Sequence, residues 1–319
     1  MPDCLSNLNG IIQSAVLGLQ SGALYAVIAI GYTLVYGVLG LINFAHSEIF
    51  MVGAFASVFA GGRYLQFTGG EGPLGGVQLI LGLLIALLAG MVAAGLTAVL
   101  MERVAYRPLR KSGAPRLAAL ISAIGVSLLI SNAALVRYGA RDLPAPNILG
   151  SSTLFKIGNV TVNNKQVLTV LSAIALLVFL DYFVNKTKTG KGIRAVAQDA
   201  ETAGLMGVNI DKIIGVTFLI GGILGGAAGM IQGYIFGNVA FNMGFIPGLK
   251  AFTAAVLGGI GNIRGAMLGG VLLGLFENFG ALCVPQGARW KDVLAFSVLV
   301  LVLMFRPTGI LGQKVAERA

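Results

Sequence analysis

Charged side chains are scarce in this sequence. Only 11% of its 319 residues are Asp, Glu, Lys or Arg, where a globular domain carries about 25%. A water-soluble domain of this size is thereby excluded, because its surface would be largely apolar. One histidine and two cysteines are too few for a His- or Cys-rich metal centre. No G-x-x-x-x-G-K-[ST] run occurs, so the chain does not cradle ATP in a P-loop. A G-x-S-x-G elbow and an H-E-x-x-H helix are missing as well. Gly190-Lys191-Gly192 is too short for a phosphate loop and reads as a flexible lead-in. The alternating polarity of a membrane barrel is also missing. Neither enzyme chemistry nor a cofactor held by this chain is expected.

What the chain has instead is apolar length. It is 56% hydrophobic with a mean hydropathy of +0.88, and its apolar runs repeatedly reach the ~20 residues that cross a bilayer core. Such spans must satisfy their own backbone groups, which favours helices. The sequence predicts spans over residues 11–38, 46–61 (short), 77–101, 117–138, 167–184 and 213–237. A shorter pair follows at 249–261 and 266–283, broken over 261–265, and a last span covers 293–305, before Pro307 stops the helix. The expected fold is an all-α polytopic membrane protein, one domain over 1–319, with eight to nine transmembrane or half-spanning helices and a broken hairpin.

The net charge of +10 lies in one set of loops, chiefly 103–116, 186–212 and 306–318. That asymmetry is the signature of cytoplasmic loops, and no aromatic-rich basic patch points to nucleic acid. Counting crossings backwards puts the N-terminus outside and the C-terminus inside. Residues 1–10 hold no Lys or Arg, so the first span is expected to be an uncleaved anchor. Cys4 and Cys283 then both fall toward the outer side, where they either pair or stay as small unpaired residues.

Glycine organises the second half of the chain. The sequence holds 47 glycines, about twice ordinary usage. Gly221, Gly225, Gly229, Gly233 and Gly237 recur every four residues, with Gly222 and Gly226 beside them. Such a stripe lets another backbone approach closely, either within one subunit or between two similar subunits around a pathway. Asn43, His46, Glu48 and Glu277 are polar groups in apolar surroundings. A charge there faces a pathway or a partner, although Asn43 or Ser47 also suits a helix cap with Glu48 in its first turn. Between the basic ends of the 186–212 loop, residues 195–206 predict a polar helix, suited to docking a soluble protein.

Six stretches now make a pattern: 25–37 (YAVIAIGYTLVYG), 42–48 (INFAHSE), 102–110 (ERVAYRPLR), 120–125 (LISAIG), 250–261 (KAFTAAVLGGIG) and 306–312 (RPTGILG). Over about 18–312 the chain resembles the LivH-type permease subunits of branched-chain amino-acid ABC importers. Ser47 departs from the family's Gly, and Arg264 stands where an apolar or small residue is usual. The resemblance implies a related LivM-type permease subunit, two cytoplasmic ATPase subunits that bind the ATP, a periplasmic substrate-binding protein and a bacterial inner-membrane location. The segment 199–207 (DAETAGLMG) is similar to the family's ATPase-docking loop. It implies coupling roles for Arg194, Asp199, Glu201, Ala203, Gly204 and Gly207. The cargo implied is a hydrophobic, branched-chain or other neutral amino acid, with urea or a short amide as the alternative. From another class, a proton-coupled carrier would use His46, Glu48 and Glu277 as its relay.

Overall fold

A computed structural model describes residues 8–69, 73–157, 159–284, 286–306 and 308–312. The described residues are mainly α-helical, and among them six helices are long and apolar enough to cross a membrane: Leu8–Leu39, Gly76–Lys111, Leu117–Tyr138, Asn164–Lys186, Ile210–Phe236 and Ile263–Cys283. It is an all-α polytopic membrane protein. Its residues divide into two compact units, one built from 34–150 and 182–248, the other from 1–33, 151–181 and 249–319.

Helix α1 (Leu8–Leu39) runs through the unit boundary. The first unit then holds α2 (His46–Phe67), α3 (Gly76–Met101), a π-helical turn (Glu102–Tyr106), α4 (Arg107–Lys111) and α5 (Arg116–Tyr138). Helix α3 turns the usual distribution of side-chain sizes inside out. Gly82, Ala86, Gly90, Ala94 and Ala98 recur every four residues on its buried face. Leu84, Leu88, Val92, Leu96 and Leu100 occupy the exposed face. Lipid offers apolar contact to large side chains, so packing selects small residues that let backbones approach.

A two-residue strand, β1 (Leu143–Pro144), pairs antiparallel with a later one in the same unit. In the other unit, β2 (Thr153–Ile157) and β3 (Val160–Asn163) form a hairpin ahead of α6 (Asn164–Lys186), which again runs through the boundary. The hairpin falls between the spans expected at 117–138 and 167–184, where hydropathy carries no signal for strands. Helices α7 (Lys188–Gln198), α8 (Ala200–Leu205) and α9 (Ile210–Phe236) return to the first unit, and β4 (Asn238–Val239) completes the pair with β1.

Three helices meet at glycine. A Cβ at Gly90 of α3 would lie 2.9 Å from the Gly53 carbonyl oxygen of α2 and 3.1 Å from that of Gly226 of α9. The glycine stripe therefore divides its work. Gly226 and Gly222 carry the contact with α3, and Gly229 faces the α2 backbone at Phe50 and Ala54. A Cβ at Gly225 would stand 3.6 Å from the His46 ring, and one at Gly233 would face Val239 and Val58. Gly221 is buried on the same helix. Gly237 ends α9 with φ +76, the left-handed conformation that suits a glycine helix end.

In the second unit α10 (Phe245–Gly258, whose first turn belongs to the other unit), α11 (Ile263–Cys283) and α12 (Gly287–Phe305) follow. The hairpin break falls at 259–262, two residues before the expected one. Gly259 (φ +106) and Gly261 (φ +95) make the turn, and the Asn262 side chain caps α11 by accepting from the backbone N–H groups of Arg264 and Gly265. The last carbonyls of α10 have no partner within the helix. Ile310 and Leu311 donate to the Leu257 and Gly258 oxygens at 2.9 and 3.0 Å and fill that need. Gly18 and Gly22 of α1 lie against α11, where an added Cβ would stand 2.9 Å from the Leu275 Cα and 2.8 Å from the Val271 Cα. Cys283 ends α11 and is not a free thiol. Cys4 lies outside the described residues.

Candidate functional site

Three constellations stand out: the helical 186–212 loop, a buried polar cluster at the start of α2, and a buried ion pair in the other unit.

The loop holds two helices where the sequence predicted one over 195–206. Asp199 breaks the run, with extended backbone at φ −158 and ψ 104. Its Oδ1 accepts from the backbone N–H groups of Glu201 and Thr202, each at 3.1 Å, so it caps α8 instead of continuing α7. Gly190 and Gly192 are helical, not a flexible lead-in. A Cβ at Gly190 would meet the Phe183 and Val184 carbonyl oxygens, and one at Gly192 would lie 2.7 Å from Ile213 of α9. Arg194 donates to Asn185 Oδ1 at 2.8 Å.

Ala203 is buried, Glu201 is exposed, and Gly204 faces Ile210. Gly207 closes α8 at φ +85. Its N–H donates to Gly204 O, and that of Val208 donates to Ala203 O, both at 3.0 Å. These two bonds form the Schellman end of a helix. Leu205 and Met206, 85% and 82% exposed, project from it. Sequence reasoning passed over these two, although two adjacent large apolar residues in a polar loop are themselves a docking signal.

Beneath the loop, Asp211 in the first turn of α9 gathers the basic residues of α4. Arg107 donates through Nη2 (2.8 Å) and Nε (3.2 Å) to Oδ2, Arg110 Nη2 bonds Oδ1, and Lys111 Nζ stands 3.7 Å away. Arg110 also reaches the buried Glu102 at 3.4 Å. The sequence showed these arginines only as loop charge. Asp211→Asn is expected to lower stability by about 1 kcal/mol, because the cluster is part-exposed and screened. Thermal unfolding in detergent would read this as a midpoint a few degrees lower, and an unchanged midpoint would contradict it.

At the start of α2, Asn43, His46 and Glu48 are all buried. Asn43 Oδ1 accepts from Ala45 N (3.1 Å) and from the Tyr106 hydroxyl (3.0 Å). The capping residue is Ala45, with no side-chain cap, so neither Asn43 nor Ser47 opens the helix as a cap. The Ser47 hydroxyl lies 2.8 Å from Phe44 O and 3.4 Å from Glu48 Oε1, and its single hydrogen serves the nearer. Ser127 of α5 donates to Glu48 Oε1 at 3.3 Å.

Glu277 lies in the other unit, on α11, buried. Lys250 Nζ of α10 bonds its Oε1 at 2.9 Å, and the Tyr25 hydroxyl of α1 donates to its Oε2 at 3.0 Å. Asp292 of α12 gives Lys250 a second carboxylate at 2.7 Å. Lys250 was not singled out in the sequence, although a lysine inside an apolar helix calls for a partner. Among the described residues no group of His, Cys, Asp and Glu is arranged to hold a metal.

Helices with small residues inside and leucines outside, long and apolar enough to cross a bilayer and carrying buried carboxylates, define a multi-pass membrane protein. The family model described as "Branched-chain amino acid transport system / permease component" matches residues 14–303, and the chain belongs to that family. It is 42% identical to the high-affinity branched-chain amino acid transport system permease protein BraD of Pseudomonas aeruginosa, over 96% of this chain and 97% of that protein. It is 39% identical to the corresponding LivH proteins of Salmonella typhimurium and Escherichia coli K12, again over 96% of this chain and 97% of each.

Proposed function

We propose that this chain is one membrane-spanning permease subunit of an ATP-driven importer for branched-chain or other neutral amino acids. It is a transport subunit, not an enzyme. The reading gives it a LivM-type partner, two cytoplasmic ATPase subunits and a periplasmic binding protein that delivers the cargo. It sits in the bacterial inner membrane among lipid, as one permease domain over 1–319. Its eight to nine crossing or half-crossing helices leave the N-terminus outside and the C-terminus inside.

The likeness over nearly the whole length to permeases of that name carries the reading. The α7–α8 pair supports it. Its buried side rests on α9 through Gly192 and Ile213, while Leu205 and Met206 stand clear for an ATPase groove. The passage residues of this reading are Asn43, His46, Glu48 and Glu277. A proton relay through Glu277 has less support, because Lys250 already neutralises that carboxylate.

The test is uptake of radiolabelled leucine by the whole complex in vesicles. ATP-dependent uptake supports the reading, uptake of urea or acetamide instead moves the cargo, and uptake without ATP sinks it. Coupling has its own prediction. Gly207→Trp places a bulky residue at φ +85 beside the docking knobs, and such backbone strain is enough for about a tenfold loss of uptake. The complex is expected to assemble and to hydrolyse ATP without matching transport; wild-type uptake would count against docking through this turn.

A further inference from the structure

Three carboxylates are buried among the described residues: Glu48, Glu102 and Glu277. Glu277 has Lys250 at 2.9 Å and Glu102 has Arg110 at 3.4 Å. Glu48 differs. It is 3% exposed, and its Oε2 is buried without any hydrogen-bond partner. On Oε1 it has the Ser127 hydroxyl at 3.3 Å and a Ser47 hydroxyl already committed to Phe44 O. An uncompensated carboxylate in an apolar interior is among the costliest groups a fold can keep. Among the described residues, the other two buried carboxylates each have a cation and this one has none. The open oxygen accepts; what it lacks is a donor carrying positive charge.

We propose that Glu48 binds the α-ammonium group of the amino acid as it passes through the permease, an assignment that rests on the importer reading above. The ammonium donates to Oε2, and the Ser127 hydroxyl holds Oε1 so that the open oxygen keeps its aim. The ammonium supplies the missing charge only during passage, so the site does not hold its cargo as a permanent lysine would hold the carboxylate. An ammonium–carboxylate bond is charge-assisted and about twice as strong as a neutral one. Cargo that lacks a cationic nitrogen, such as urea, gains nothing from it. The aliphatic side chain of the amino acid makes no demand on Glu48, so the site selects a class of compound and leaves the choice among neutral amino acids to other surfaces.

The experiment compares wild type, Glu48→Gln and Glu48→Asp in the complete complex in vesicles, with radiolabelled leucine and simultaneous measurement of ATP hydrolysis. Glu48→Gln keeps size and the bond from Ser127 but removes the charge. Leucine uptake per ATP hydrolysed is expected to fall about tenfold or more, while assembly and stimulation of hydrolysis by the loaded binding protein persist. Glu48→Asp keeps the charge one methylene short and is expected to retain uptake between the two. Wild-type uptake in Glu48→Gln overturns the assignment, and so does a Glu48→Asp variant no better than Glu48→Gln. If Glu48→Gln fails to assemble, Glu48→Asp decides alone, and either full or absent uptake overturns it. An imposed proton gradient separates the remaining occupant. Wild-type uptake that follows the gradient, with the dependence lost in Glu48→Gln, assigns a proton to Glu48 and overturns the ammonium. A wild-type complex without ATP-dependent leucine uptake refutes the importer reading itself, whatever the variants do.

Discussion

Gly226→Ala is expected to destabilise the subunit severely, while Gly225→Ala, one position away on the same helix, is tolerated. A methyl on Gly226 would run into the Gly90 carbonyl and would lie 2.8 Å from the Ala94 Cβ, between backbones with no flexible end to yield. A methyl on Gly225 would meet the His46 ring at 3.6 Å, an ordinary contact. Overpacking a tight core costs about 3 kcal/mol, and here α2, α3 and α9 would all have to separate. Yield of monodisperse protein and the unfolding midpoint would report it. Equal behaviour of the two variants would mean that the three helices do not converge at Gly226.

Lys250→Met is expected to be far more damaging than Glu277→Gln. The pair is buried, so removing one member leaves an uncompensated charge, at a cost of about 3–5 kcal/mol. The two members are not equivalent. Without the Glu277 charge, Lys250 keeps Asp292 at 2.7 Å, and the amide still accepts from Tyr25. Without Lys250, Glu277 keeps, among the described residues, the Tyr25 hydroxyl at 3.0 Å and no cation. Met fills the volume of the lysine stem, so lost packing does not explain the difference. Limited proteolysis of the purified subunit and its unfolding midpoint would rank the variants. Glu277→Gln at least as unstable as Lys250→Met would contradict the asymmetry.

Much of the fold was readable from hydropathy alone, since lipid demands long apolar runs whatever the tertiary contacts. The spans at 77–101 and 117–138 agree with α3 and α5 to within a residue at each end. The second segment did not fare so well: α2 continues to Phe67 through Gly61, Gly62 and Arg63, a stretch that reads as a stop. Packing overrides propensity there, because Gly61 is buried where a Cβ would meet the Tyr234 hydroxyl. Asp199 falls inside the helix that the sequence predicts over 195–206, because its capping bonds depend on backbone direction, which residue type alone does not give.

The site residues show the same division. Glu277 announced itself as a carboxylate in an apolar run, but its partner Lys250 lies 27 positions earlier in the chain and only the fold joins them. The arginines of α4 looked like topology signals, and their convergence on Asp211 needs a contact 104 positions apart. The contrast between Glu48 and Glu277 is invisible without coordinates, since both are single acids in apolar surroundings, whereas Glu102 already stands beside the basic stretch 103–116.

The π-helical turn at Glu102–Tyr106 sets an angular phase. Such a turn amounts to one extra residue spliced into an α-helix, and one residue advances an α-helix by about 100°. The wider turn takes up that extra residue, so Tyr106 still lies against Asn43 and Arg107 and Arg110 still reach Asp211. An unbroken α-helix carrying all of 102–106 would instead turn the basic end by about 100°, away from α9. A single deletion within 102–106 is therefore absorbed by reversion of the turn to α-helix, whereas a further insertion there has no such slack and swings Arg107 and Arg110 off Asp211. The constraint falls on the length of the stretch, which hydropathy and charge do not record.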